Sequence, residues 1–261
     1  MLTLMHTFSF LFGLIIGSFL NTVIYRYNTG RSVGGRSHCL ACGHTLTWRE
    51  LIPILSYVIQ GGKCAKCQSR FSAQYPLVEF MTAILFLGVT WKFFPTNFSL
   101  TDFPYELIFL LIINWLVMSL LIIIAVYDLR HKIIPNGMVY AFILASAVLA
   151  WWQDPERLLA GLYFFAFFAT LWLVSRGKWL GFGDAKLALG IGFLLGATAG
   201  LSALTLAFWS GAIFGLAIIT LNRLRRRGES FTIKSEIPFA PFLIFGLLIV
   251  FFFQINVLQL F

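Results

Sequence analysis

The sequence predicts an all-α polytopic membrane protein, with about eight transmembrane helices and one small cytosolic zinc-binding insertion. Three observations carry that prediction. The 261 residues are 59% hydrophobic and only 11% charged, with 29 phenylalanines and a mean hydropathy of +0.88. Apolar runs long enough to cross about 30 Å of hydrocarbon recur along the chain. All four cysteines fall in the one long interval that lacks such a run. A water-soluble chain of this length needs about 25% charged residues to cover its surface, so lipid must cover much of this one.

The apolar runs lie near 8–25, 76–94, 106–127, 136–152, 158–175, 184–199, 201–221 and 239–258. The run 184–199 is the shortest, and separating it from 201–221 rests on a turn at Ala199-Gly200. Without that turn the count is seven. The first run lacks a basic leading segment and a small-residue cleavage site, and it leads into Asn21 and Arg26, so a retained helix is expected rather than a removed signal peptide. Three parts follow: a first transmembrane helix (1–27), a cytosolic four-cysteine module (28–75) and a transmembrane bundle (76–261).

The formal charge of +9 is unevenly spread. The segments 26–75, 128–135, 176–186 and 222–237 hold every Lys and Arg except Lys92 and Arg157. By the positive-inside rule these segments are cytosolic. The basic excess is therefore topological, and nucleic acid is not an expected partner, because no loop offers aromatic or groove-reading elements. The lipid bilayer is.

Cys39 and Cys42 form one Cys-x-x-Cys knuckle and Cys64 and Cys67 a second, 21 residues further on. Two such pairs can aim four thiolates at one tetrahedral ion, and four thiolates leave zinc no open position for water. A structural Zn²⁺ that staples a module too small for its own core is expected. A reducing cytosolic loop disfavours two disulfides. Redox chemistry is the lesser alternative, and His38 and His44 flank the first knuckle either as substitute ligands or as solvated side chains.

Two aspartates stand at predicted cytosolic helix ends, Asp128 closing the third run and Asp184 opening the sixth within Gly181-Phe182-Gly183-Asp184. An aspartic protease needs two carboxylates sharing a proton across a water, one activating it and the other polarising the scissile carbonyl. A helix N-terminus favours a carboxylate and a C-terminus disfavours one, which marks Asp184 as the base. Gly181 and Gly183 are expected to let the backbone bend and a peptide strand approach. The residues alone leave another reading open, in which Asp184 caps its helix and Asp128 pairs with Arg130, Lys132 or Lys186.

Several segments together resemble the type IV prepilin peptidase family of intramembrane aspartic proteases with a Gly-x-Gly-Asp motif. They are Gly17-Ser18-Phe19-Leu20-Asn21 with Val23-Ile24-Tyr25-Arg26, the two cysteine knuckles, Ile52-Pro53-Ile54-Leu55-Ser56-Tyr57 and Tyr75-Pro76-Leu77-Val78-Glu79. Asp128 with Ile133-Ile134-Pro135-Asn136, the Gly181–Asp184 motif and Pro238-Phe239-Ala240-Pro241-Phe242 complete the set. The resemblance implies Asp128 and Asp184 as catalytic residues. It implies cleavage of the basic leader from prepilins and type II secretion pseudopilins at the cytosolic face of the bacterial inner membrane. Many members also methylate the new N-terminal amine with S-adenosylmethionine, and the four-cysteine insertion belongs to that larger form. No glycine-rich nucleotide loop marks the cofactor site; Glu50 and Glu79, the acidic residues near the insertion, are candidates to hold the cofactor or the substrate amine, with a salt bridge to a neighbouring Arg as the alternative for each. Glu229 and Glu236 are candidates to receive the basic leader. A monofunctional peptidase and a proton-coupled transporter are the rival functions. The histidines, His6, His38, His44 and His131, form no His-Glu-x-x-His, which disfavours a metalloprotease.

Overall fold

Each predicted apolar run coincides with a helix in the computed structural model, which describes residues 2–30, 32–94, 105–224 and 238–257. In order these are α1 (Leu2–Arg26), α2 (Leu55–Ile59), α3 (Gln74–Phe93), α4 (Tyr105–His131), α5 (Asn136–Gln153), α6 (Arg157–Ser175), α7 (Phe182–Leu195), α8 (Ala197–Leu224) and α9 (Ala240–Phe253), with a 3-10 turn at Trp48–Leu51. There are no β-strands among the described residues. Among the described residues, five helices are long and apolar enough to cross a membrane: α1, α3, α4, α6 and α8. The chain is a multi-pass membrane protein. It divides into two compact units, Met1–Ile123 and Ile124–Phe261, and α4 contributes to both. Glu229 and Glu236 lie outside the described residues.

In the N-terminal unit α1 packs along α3 through its glycines. A Cβ added at Gly13 would lie 2.6 Å from the Ala83 Cα, and one at Gly17 would lie 2.6 Å from the Glu79 Cα. Small residues four apart let two backbones touch where lipid supplies no hydrophobic drive between helices. Polar side chains are spent inside this contact: Thr90 Oγ1 donates to Ser9 Oγ at 2.8 Å, and Asn21 Nδ2 donates to the Tyr75 carbonyl at 3.1 Å. Phe8, Leu11, Ile15 and Phe19 stay exposed at helical spacing, the stripe that lipid covers.

In the C-terminal unit α7 is the innermost helix and contacts α5, α6, α8 and α9. Its 14 residues span about 21 Å at 1.5 Å per residue. Glycine again permits the approach: a Cβ at Gly190 would collide with the Phe142 ring, and one at Gly192 with the Gly161 backbone. The turn after α7 differs from the expected one. It sits at Gly196, whose φ of +81° ends the helix, and Ala199-Gly200 lies inside α8. Both glycines carry the turn signal, but Gly200 is needed where the Phe164 ring presses on the helix.

Candidate active site and metal centre

α4 ends in a left-handed residue, Lys132 at φ +55°, whose N–H returns to the Asp128 carbonyl at 2.8 Å. The chain then passes Ile134 and enters α5. A Cβ at Gly183 would lie 2.9 Å from the Ile134 Cβ, so glycine here admits Ile134 against the first turn of α7. Lys186 adds a second tie, donating to Asn136 Oδ1 at 2.8 Å while its ammonium sits over the Tyr140 and Phe182 rings. These contacts bring the end of α4 to the start of α7, and with them Asp128 and Asp184. The expected role of the glycines changes accordingly. Neither Gly181 nor Gly183 has a positive φ, so neither makes a sharp bend; Gly183 makes room, and Gly181 supplies a donor.

Both aspartates are buried, at 4% and 7% exposure. Each carboxylate accepts one backbone N–H. Gly181 donates to Asp184 Oδ2 at 3.0 Å, and Ala240, the first residue of α9, donates to Asp128. The two side chains are close enough for the charge of one to act on the other. Asp128 Oδ2 is buried without a hydrogen-bond partner. Neither aspartate forms an ion pair with a described residue, so Arg130, Lys132 and Lys186 do not neutralise them. The capping alternative holds in part, since Asp184 does reach back to Gly181. The Ala240 donor was hidden from a local reading; Ala240 is the first residue of α9, and the leading N–H groups of a helix have no partner within it.

The four cysteines meet with every Sγ within 4.8 Å of the others. Cys39 Sγ lies 3.8 Å from Cys67 Sγ and Cys42 Sγ 4.0 Å from Cys64 Sγ. A tetrahedron with Zn–S bonds of about 2.3 Å has edges of about 3.8 Å, so this donor set fits zinc. The two knuckles are built alike. In the first, Cys39 N–H donates to the His44 carbonyl and Gly43 N–H to that of Cys39; in the second, Cys64 N–H donates to Ser69 and Gln68 N–H to Cys64. Gly43 and Gln68 hold the matching left-handed positions. The Ser69 hydroxyl, then the Cys42 and Ala41 N–H groups, pull the Cys39 thiol down to about 6. Cys42 moves up to about 11: the His44 N–H that would lower it is outweighed by burial and by the Cys67, Cys39 and Cys64 sulfurs. Four thiolates cannot share so small a volume without a cation among them. The histidines stand apart from this set, and His44 Nε2 lies 3.4 Å from Glu50.

Between the knuckles and the ends of α1 and α3 lies a cavity of about 450 Å³, and both Glu50 and Glu79 line it, with Asn21, Tyr25, Tyr57 and Tyr75. Neither carboxylate is paired with an Arg among the described residues. Glu79, on α3, accepts the Ile54 N–H at 2.7 Å and a hydrogen bond from Ser18. Ile54 has φ +60° and ψ −51°, and the N–H after it returns to Pro53, a strained γ-turn that is costly for a β-branched residue. Glu79 is the latch that holds this turn. Glu50 closes the 3-10 turn by accepting the Thr47 N–H at 2.8 Å and hydroxyl at 2.9 Å, both on Oε2; the backbone bond keeps its carboxyl below the usual range. Thr47-x-x-Glu50 is a capping-box spacing and was legible as such.

A protein from Bacillus subtilis, "Prepilin leader peptidase/N-methyltransferase", is 38% identical over 240 residues, covering 89% of this chain and 88% of its own. The chain belongs to the type IV leader peptidase family. The family model so described matches residues 115–216, which contain Asp128 and Asp184, and that of the bacterial peptidase A24 N-terminal domain matches 11–93, which contain the four cysteines and the cavity. Like-named relatives from Myxococcus xanthus (35% identical, 87% of this chain and 67% of the relative) and Pseudomonas aeruginosa (29%, 89% and 85%) are similar over most of this chain. No solved structure matches it significantly.

Proposed function

We propose that this leader peptidase cleaves the basic leader from type IV prepilins and type II secretion pseudopilins at the cytosolic face of the inner membrane, and then methylates the new N-terminal amine. The observation that carries the first activity is the pair of buried carboxylates, each held by one backbone N–H and, among the described residues, by no cation. Asp184 is the ionised partner, its charge supported by the start of α7. Asp128 is the protonated one, and its unpartnered Oδ2 is the oxygen that would donate to a scissile carbonyl. Asp184 takes a proton from the attacking water while Asp128 polarises the carbonyl; the tetrahedral diol then collapses as the dyad delivers a proton to the leaving amine. The basic segments support a cytosolic position for both aspartates, in a bundle read as eight spans once α5, α7 and α9 are counted.

Zinc, held by Cys39, Cys42, Cys64 and Cys67, is structural in this reading, and S-adenosylmethionine supplies the electrophilic methyl group. Residues 28–75, together with the helices on either side, serve methylation. The bundle that follows serves proteolysis. A peptidase without methylation is the second reading, and the Glu50–Glu79 cavity favours the bifunctional one.

Gly181 offers a test of the dyad. Its φ of −76° suits proline, so Gly181→Pro removes the N–H that Asp184 accepts and puts the ring Cδ against that carboxylate. Hydrogen bonds to charged groups contribute about 1.5–3 kcal/mol, so leader cleavage in detergent should fall about 10- to 100-fold. Gly181→Ala, which keeps the N–H and whose Cβ first meets Asp184 Oδ2 at 3.5 Å, should lose far less. Equal activity of the two variants would remove Asp184 from the mechanism as drawn.

A further inference from the structure

Among the described residues of the N-terminal unit, one buried side-chain oxygen has no hydrogen-bond partner: Glu50 Oε1. Its twin, Oε2, carries all of the local bonds, those from Thr47 and the contact with His44. Glu79 in the same cavity wall accepts the Ile54 N–H on Oε2. Both carboxylates thus hold a turn through one oxygen, and of the two Glu50 alone leaves its other oxygen buried without a partner. Buried acceptors are nearly always satisfied, and an exception at the wall of a cavity points to a donor that arrives with a ligand. For an ionised carboxylate the matching donor is a cation, and ammonium is the compact one. The cavity volume falls in the range that holds cofactor-sized ligands. Tyr25 and Tyr75, stacked at 5.1 Å between centroids, add an aromatic wall suited to a base or a cation.

We propose that Glu50 anchors an α-ammonium group in this cavity, the chemistry shared by the methionine end of the methyl donor and by the freed N-terminus of the pilin. The inference rests on the reading that this chain methylates. It gives Glu50 a function that the turn alone does not need, since Oε2 suffices to close it. Transfer requires the acceptor amine first to lose a proton. Its lone pair then forms the N–C bond as the C–S bond breaks, with the bonding pair passing to sulfur. Where the anchored ammonium is the pilin's, it loses that proton to solvent and Glu50 holds the amine in place; where it is the donor's, Glu50 holds and orients the donor.

Glu50→Gln in the full chain tests this. The amide oxygen can still accept from Thr47, while the NH₂ replaces the unused acceptor with a donor, which repels an ammonium. Two readouts are needed: S-adenosylmethionine binding by calorimetry, and methylation kinetics over a range of mature pilin peptide concentrations. A donor Kd weakened about tenfold or more assigns the site to the methionine end. An unchanged donor Kd with a peptide KM raised about tenfold assigns it to the pilin amine. Wild-type values for both overturn the proposal. A wild-type protein that neither binds the donor nor methylates the peptide instead overturns the methylation reading itself. Zinc content reports whether the module has folded. Should Glu50→Gln lose zinc, Ser56→Phe narrows the same cavity from α2 without touching the Thr47–Glu50 turn, and unaltered affinity for both ligands in that variant overturns the proposal equally.

Discussion

Replacing either aspartate with asparagine should abolish leader cleavage. Asp128→Asn and Asp184→Asn keep size and keep an oxygen to accept the Ala240 or Gly181 N–H, so the helix ends that these bonds join should stay in place. What each loses is the capacity to take or give a proton. General acid–base catalysis contributes about 10²–10⁴-fold, and a dyad uses both members in each turnover, so a fall of about 10³-fold or more is expected for each. The double variant should be little worse than either single one, because groups that act as a unit fail together. The measurement is the rate of prepilin cleavage by purified protein in detergent. Wild-type cleavage by both single variants would reduce these carboxylates to helix caps. Additive losses would mean that they act separately.

The second large effect belongs to the cysteines. Structural zinc contributes about 10–16 kcal/mol to small metal-built folds, as much as or more than the whole stability of a typical domain. Cys39→Ser with Cys42→Ser removes half of the ligands, one from each short sulfur pair, 3.8 Å and 4.0 Å apart. Bound zinc should drop from about one per chain to none, and limited proteolysis should open the segment between α1 and α3. Methylation should vanish with it, because the cavity wall includes Cys39. Leader cleavage, which we assign to the unit after Ile123, should persist. Retained zinc in the double variant would contradict the four-thiolate site, and loss of cleavage together with methylation would contradict the division of labour.

Much of this organisation is legible in the chain because it is written in one-dimensional signals. Apolar runs mark helices whatever their partners are, and two Cys-x-x-Cys pairs announce a tetrahedral site at a distance. Asp128 and Asp184 stand out because charge is rare in such runs. What escaped are facts of packing. Gly196 and Gly200 are equal as turn signals, and only the Phe164 ring decides between them. Gly183 looks like a hinge until Ile134 is seen against it. The Ala240 N–H reaches Asp128 from the other end of the C-terminal unit, a pairing that no local pattern contains. Glu50 and Glu79 are alike as letters; one lies on a 3-10 turn with a buried oxygen left unpartnered, the other on a membrane helix where it holds the Ile54 turn.

The innermost helix also says something about the order in which the protein is made. α7 is shorter than the hydrocarbon is thick, carries Asp184 and Lys186 in its first two turns, and is joined to α8 by the single residue Gly196. A newly translated α7 has little reason to stay in a bilayer alone, and it enters with α8 as a helical hairpin. Asp128 must wait longer, since the N–H that holds it belongs to Ala240. On the proposed reading of the two carboxylates, their site is complete only once the start of α9 is in place.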